Sequence, residues 1–267
     1  MIRITSRDNA LLRQARAVRD GKVYQLIFVE GLRLCEEALH SGLHVEAAIY
    51  SEEIAEKERA AHFLEEVAPF CDRLAGVSEK LLATVSYTKT PQGIILLATR
   101  PEQGKSQLET QANGAPLLVV LHGINNPVNV GAILRSAEAA GATGAISTTN
   151  TADPFSPKAL RGAMGSAFRL PIWQGASYTE AIAWCHGHDI KTVCADVKAI
   201  SLHTSIDWTI PRAVIVGPES TGLSPEEVAV AGEAVRIEMH GSVESLNVGV
   251  AAAVLLYEAA RQRNLQR

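Results

Sequence analysis

The sequence predicts an α/β protein in two parts: a small N-terminal α/β unit, then a larger C-terminal domain built on a parallel sheet covered by helices. Three observations predict it. Short apolar runs alternate with helical patterns along the chain. From Leu117, where an apolar run reaches Leu121, strands and helices alternate to the end of the chain, as expected for a parallel sheet covered by helices. Between the halves, residues 101–115 are polar, hold Pro101, Gly104 and Gly114, and lack an apolar period. The expected boundaries are 1–100 for the N-terminal unit, 101–115 for a linker and 116–267 for the C-terminal domain. A chain of 267 residues, 47% hydrophobic and 20% charged, has ordinary globular composition.

The first residues carry Arg3, Arg7, Arg13, Arg16, Arg19 and Lys22 against Asp8 and Asp20. Arg13, Arg16 and Arg19 recur at spacing three, so they run along one side of a helix. Two readings stay open, a basic arm lying on phosphates or a solvated helix face. Gln25–Val29 then reads as a strand, Leu32–Leu39 as a helix, Val45–Tyr50 as a strand, Ile54–Val67 as a helix and Gly93–Ala98 as a strand.

In the C-terminal half the expected strands are Leu117–Leu121, Gly144–Ser147, Ile190–Ala195, Ala213–Val216 and Val235–Met239. Ser156-Pro157 and Ser224-Pro225-Glu226-Glu227 mark helix starts, the second with a capping box. The last helix, from about Ser245 to Arg261, is apolar nearly all round at first. It therefore belongs in the core or at a subunit contact.

Several function classes are excluded. Cys35, Cys71, Cys185 and Cys194 show no paired spacing, and no signal-peptide pattern opens the chain, which implies reduced thiols and a cytoplasmic location. No apolar run approaches the roughly 20 residues of a membrane span. Gly104-Lys105-Ser106 lacks the earlier glycine of a phosphate loop, since Thr99 stands there. The loop after Leu121 is not a Gly-x-Gly-x-x-Gly fingerprint, and no Gly-x-Ser-x-Gly elbow occurs. Cys185, His186, His188 and Cys194 match no usual zinc spacing, so no metal is expected. The net charge of −4 argues weakly against nucleic acid, although the arginines are concentrated at the N-terminus.

Three polar loops, each beside a strand, carry the chemistry. They are Asn125-Asn126-Pro127-Val128-Asn129-Val130-Gly131-Ala132-Ile133-Leu134-Arg135, then Gly217-Pro218-Glu219-Ser220-Thr221-Gly222-Leu223-Ser224, then Ile237-Glu238-Met239-His240-Gly241 through Glu244-Ser245-Leu246-Asn247-Val248. Loops at the carboxyl ends of parallel strands converge on one crevice. Together, in this order and spacing, they resemble the motifs of the SpoU/TrmH-type RNA 2′-O-ribose methyltransferases of the SPOUT superfamily. Asp153-Pro154-Phe155-Ser156-Pro157-Lys158 through Gly165-Ser166 is similar too. So is Phe28-Val29-Glu30-Gly31, which resembles the family's ribosomal-protein-like RNA-binding domain. The chain departs at Ser220, where many members carry Gly, at Glu238, where Pro is frequent, and at Gly249, where Ser often follows.

The resemblance implies a C-terminal SPOUT domain tied in a deep trefoil knot, S-adenosyl-L-methionine as cofactor, and a homodimer whose site draws on both subunits. It implies methyl transfer to a ribose 2′-hydroxyl of structured RNA, ribosomal RNA first and transfer RNA as the alternative. A catalytically silent RNA- or cofactor-binding relative is the rival of a different class. Gly217, Gly222, Ile237, Met239 and Leu246 are the implied cofactor residues, with a tight turn as the other reading of Gly217. Arg135 is the implied activator of the hydroxyl. A guanidinium with pKa above about 12 is a poor base, so phosphate binding and alkoxide stabilisation are physically easier. Asn129 either orients the ribose or Arg135, or caps the following helix. Glu219, Ser245 and Asn247 are expected to complete a polar cluster around them, with Ser245 also a candidate helix cap and Asn247 expected to be buried.

Overall fold

The structure is a computed structural model that describes residues 2–109 and 114–264. It divides into two compact units, Met1–Pro101 with Phe155–Arg169, and Glu102–Pro154 with Leu170–Arg267.

In chain order the first unit holds β1 (Ile2–Ile4), α1 (Ala10–Arg19), β2 (Leu26–Glu30), α2 (Leu32–His40), β3 (Val45–Ser51), α3 (Glu52–Ala55), α4 (Glu58–Val67), β4 (Cys71–Val77), α5 (Glu79–Ala83) and β5 (Ile94–Thr99). They form a five-stranded sheet in the order β1-β4-β3-β5-β2. β1, β4 and β3 run parallel, and β5 runs antiparallel to both its neighbours. Asn9 caps α1 by accepting from the Leu11 amide. That helix buries Leu11, Leu12, Ala15 and Val18 at helical spacing against Phe28, Ile49, Ile95 and Leu97 of the sheet. The single helix expected over 54–67 is two, because Ser51 caps an earlier start by accepting from the Ile54 amide and α3 ends at Ala55. β4 is an addition to the expected strands: Asp72 and Arg73 interrupt its apolar pattern, and pairing between β1 and β3 makes it a strand.

The rest of the chain forms α6 (Ser106–Glu109), β6 (Leu117–Leu121), α7 (Pro127–Ala139), β7 (Gly144–Thr148), α8 (Pro157–Ala163), α9 (Ser166–Arg169), β8 (Ile172–Ala176), α10 (Tyr178–Gly187), β9 (Lys191–Ala195), β10 (Ser201–Leu202), β11 (Arg212–Val216), α11 (Pro225–Val230), β12 (Glu233–Arg236) and α12 (Val248–Asn264). The second unit's sheet has seven parallel strands in the order β10-β12-β9-β11-β6-β7-β8. Side chains alternate across it. Leu118, Val120, Ile146, Ala213 and Ile215 pack with Tyr178, Ile182 and Cys185 of α10. α7 packs on β6 and β7, and α12 packs on α7 and β11.

Two features lie across the expected domain boundaries. Residues 101–115 are not a plain linker: α6 lies there, and Leu108 packs against the second unit's core, while 110–113 fall outside the described residues. Phe155–Arg169, expected within the C-terminal domain, belongs to the first unit. There α8 packs on β2, and Ala159, Leu160, Ala163, Ala167 and Phe168 are buried. Arg169 Nη1 bonds Glu37 Oε2 at 2.5 Å. Gly165, at φ +95°, makes the turn between the two helices, and a Cβ there would lie 2.6 Å from the Glu37 carboxylate.

A fragment beginning at residue 102 should therefore leave Phe155–Arg169 without its partners. Burial of Leu160 and Phe168 contributes about 1.5–3 kcal/mol each, so trypsin is expected to cut after Arg161 or Arg169 at least about tenfold faster in the folded fragment than in the full chain. Equal rates, followed by mass spectrometry, would contradict this assignment of the segment.

Candidate active site

Because every strand of the second sheet is parallel, their carboxyl ends share one edge. β6 and β11 pair in register from Leu117 opposite Arg212 to Leu121 opposite Val216, so both strands end level. The His122 amide donates to the Val216 carbonyl at 3.0 Å, and the loops 123–126 and 217–224 begin side by side. Gly123, at φ +62°, allows this approach, since a Cβ there would lie 3.0 Å from the Pro218 ring. The third loop, 237–247, leaves β12 and ends at α12 against α7.

Asn129 and Asn247 meet there. Asn247 Nδ2 donates to Asn129 Oδ1 at 3.3 Å, while Asn247 Oδ1 accepts from the amides of Gly249 at 3.0 Å and Val250 at 3.3 Å. Asn247 thus caps α12, which starts at Val248 rather than near Ser245. It is exposed, not buried as expected. The cap of α7 is Asn126, whose Oδ1 accepts from the Val128 amide at 3.0 Å. Asn129 lies inside the helix and is buried, so its side chain is directed to Asn247 and not to a cap.

The remaining polar candidates are not drawn into this pair. Arg135, Glu219 and Ser245 are exposed and make no hydrogen bond or ion pair among the described residues. Gly217 is required by its own loop, since a Cβ would lie 2.8 Å from the Leu223 side chain and 3.2 Å from its amide nitrogen. Gly222 holds φ +66°, and nothing lies within 4 Å of where a Cβ would stand. Met239 and Ile237 follow β12 and do not extend it, because that strand ends at Arg236. Ile237, Met239 and Leu246 are half-buried, and the backbone of 237–246 makes no hydrogen bond among the described residues. Main-chain donors and acceptors left open beside apolar side chains suit an adenosine-type ligand, whose ring faces need apolar walls and whose edges need polar partners.

One group at this edge carries no signal in the sequence. His122 Nε2 lies 2.9 Å from Glu227 Oε1 and Nδ1 lies 2.9 Å from Thr148 Oγ1, with the imidazole 4.5 Å from the Tyr178 ring and tilted 49° to it. The Tyr178 hydroxyl donates to the Glu227 carbonyl at 2.8 Å. Glu227 Oε2 accepts from the Ser224 amide at 2.7 Å, completing the capping box expected there. The end of β6 is thereby tied to the helix that follows the 217–224 loop. Of this junction only the capping box is legible locally, because 105 residues separate His122 from Glu227.

Away from this edge, a cavity of about 550 Å³ lined by His186, Asp189, Lys191, Thr192, Gly232 and Glu233 opens at the amino ends of β9 and β12. It contains none of the candidate residues. In the first unit Arg13 is exposed, whereas Arg16 Nη2 donates to the Arg7 carbonyl at 2.8 Å and Arg19 is bonded to Asp20 and to the carbonyls of Val85 and Ser86. No helix among the described residues is long and apolar enough to cross a membrane, and none of their His, Cys, Asp and Glu side chains cluster as a metal site.

Burial opposes ionisation of Glu227, but the Ser224 amide and His122 outweigh it and hold the carboxyl below the usual carboxylate range. A depressed folded-state pKa contributes stability above the unfolded-state value, about 4.3, and loses it as pH falls through the folded value. The melting-temperature gap between wild type and Glu227→Gln is therefore expected to be widest near neutral pH and to close below about pH 4. A gap that stays constant into acid would show that the ionised carboxylate is not what holds this junction.

Known proteins share both the sequence and the fold. The profile of the SpoU rRNA Methylase family matches residues 116–257, and that of an MRM3-like substrate binding domain matches residues 11–96. An uncharacterised tRNA/rRNA methyltransferase of Synechocystis sp. is 32% identical, over 97% of this chain and 94% of that protein. A 23S rRNA uridine 2′-O-methyltransferase of Streptomyces viridochromogenes is 29% identical, over 98% of this chain and 92% of that protein. Among solved structures, the AdoMet-bound rRNA methyltransferase from Sinorhizobium meliloti superposes with a TM-score of 0.84 at 28% identity, covering 97% of each chain. With its parallel sheet, its three loops at one edge and these matches across both units, the chain belongs to the SpoU rRNA methylase family.

Proposed function

We propose that this chain transfers the methyl group of S-adenosyl-L-methionine to a ribose 2′-hydroxyl of ribosomal RNA, at the edge where the three loops converge. The observation that carries this reading is the Asn129–Asn247 bond, which joins the first and third loops beside the junction of the first and second. The family relationship and the AdoMet-bound neighbour support the chemistry.

The bound cofactor would supply an electrophilic methyl group on a sulfonium. The chain's residues bind, orient and stabilise charge. Main-chain groups at Gly217, Ile237 and Leu246, with the apolar side chain of Met239 and the open turn at Gly222, hold the adenosine. Asn129 commits its oxygen to Asn247 and keeps its amide N–H groups for the ribose. Arg135, exposed and without a protein partner among the described residues, binds the phosphate beside the target and stabilises charge developing on the 2′-oxygen. Glu219 and Ser245 belong to these loops and contact substrate directly, and neither is committed to a protein partner among the described residues.

The active form is a cytoplasmic homodimer with a knotted C-terminal domain. Support for the dimer comes from α12, where Val250, half-buried Val254 and Tyr257 stand at spacings of four and three along one side. Val250 is 50% and Tyr257 54% exposed, a stripe of apolar area that a second copy would cover. The N-terminal unit supplies RNA affinity.

Arg135→Ala should lower methyl transfer to ribosomal RNA by at least about a hundredfold, the scale of one lost transition-state stabiliser. Its melting temperature and cofactor affinity should stay near wild type, and Arg135→Lys should recover little, because an ammonium lacks the planar fork. Radiolabelled methyl incorporation into RNA from a strain lacking the protein is the assay. Near wild-type turnover in Arg135→Ala would overturn its role, and label entering transfer RNA instead would overturn the substrate. If the site is shared across the dimer, mixing Arg135→Ala with Gly217→Trp should restore part of the activity; heterodimers without activity would place the site within one subunit.

A further inference from the structure

The segment 86–92, which joins α5 to β5, is held by charges of both signs. Glu30, the last residue of β2, is 5% exposed. Its carboxylate accepts from the Ser86 hydroxyl, the Tyr87 amide at 2.9 Å, the Thr88 amide at 3.2 Å and the Thr88 hydroxyl at 2.8 Å. A buried carboxylate is costly unless its oxygens are satisfied, and three successive residues of this loop do so. From α1, Arg19 Nη1 donates to the carbonyls of Val85 at 3.0 Å and Ser86 at 3.3 Å. One anion thus takes the loop's N–H and O–H groups, and one cation takes the carbonyls just before them. The backbone of 85–88 is fixed from both sides.

What this scaffold presents is an exposed aromatic ring and a charge. Tyr87 is 43% exposed, and Lys89, Thr90 and Gln92 lie just beyond it in the same loop. A side chain on a rigid loop loses little freedom on binding. Unpaired RNA bases stack on aromatic rings and their phosphates attract ammonium groups. The segment also lies within the stretch matched by the substrate-binding profile.

We infer that 86–92 is an RNA-contact loop in which Tyr87 stacks on an unpaired base and Lys89 neutralises an adjoining phosphate. Glu30 and Arg19 are positioning residues that hold the loop for this contact. The helical arginines then divide in role: Arg19 builds the loop, while Arg13 faces solvent. The inference rests on the reading of the chain as an RNA methyltransferase.

The test is filter binding of the full-length protein to 23S ribosomal RNA transcribed in vitro, over a salt series. Tyr87→Ala is expected to weaken binding about tenfold with the salt slope unchanged, and Tyr87→Trp to restore it, as for one base–aromatic stack. Lys89→Ala should instead reduce the slope of log K against log salt by about one. Glu30→Gln, which keeps the volume but sets an amide donor against the loop's own amides, should weaken binding with Tyr87 and Lys89 still present. Thermal melts verify that each variant folds. Wild-type affinity and slope in both Tyr87→Ala and Lys89→Ala would overturn the proposal and leave 86–92 a structural turn. Wild-type protein that binds S-adenosyl-L-methionine but not the RNA would overturn the functional reading and this proposal together.

Discussion

The structure depends on the level pairing of β6 and β11. Leu121 lies opposite Val216, and the next bond, from the His122 amide to the Val216 carbonyl, sends two loops out of the sheet at the same height. Both strands are buried along their whole length, so a slip of one residue would send every side chain of the shifted strand to the opposite face, into packing shaped for its neighbours. It would also separate Gly123 from Pro218 and draw His122 away from Glu227. Buried, continuous strands therefore do two things at once: they supply the core, and they set the position of the polar groups at its edge.

Local chemistry then completes the edge. Capping residues at helix starts, Asn126, Ser224 and Asn247, satisfy backbone amides that would otherwise be orphaned. Asn247 does this with its oxygen and reaches Asn129 with its nitrogen, so one side chain fixes both the start of α12 and the link to α7. Gly249 lets that contact close, because a Cβ there would already sit 3.2 Å from Asn247 Oδ1 and 3.6 Å from Ala132.

The parts of this arrangement encoded locally are legible in the sequence. Leu117–Leu121 reads as a strand and is one, and the Ser224-Pro225-Glu226-Glu227 capping box is formed as its spacing requires. What escapes is set by partners far along the chain. Phe155–Arg169 carries ordinary helix signals, and nothing in them says that its apolar side packs on β2 rather than on the sheet it interrupts. Ile237–Met239 looks like a continuing strand, yet pairing with β9 ends at Val235 and the polar loop takes over. Which asparagine caps and which reaches across is decided by one turn of helix register. Arg13, Arg16 and Arg19 look equivalent in sequence, and only tertiary contacts distinguish the solvated one from the two bonded to carbonyls.

We propose that the cofactor is held at the carboxyl edge of the parallel sheet by the loops 217–224 and 237–247. Amide hydrogen exchange, followed by mass spectrometry with and without S-adenosyl-L-methionine, tests it most directly. The backbone of 237–246, unbonded within the described residues, and that of 217–223 should slow markedly on binding, while the cavity around His186 and Lys191 at the opposite edge should not. Protection at 186–192 and 232–233 with none in the two loops would contradict the account.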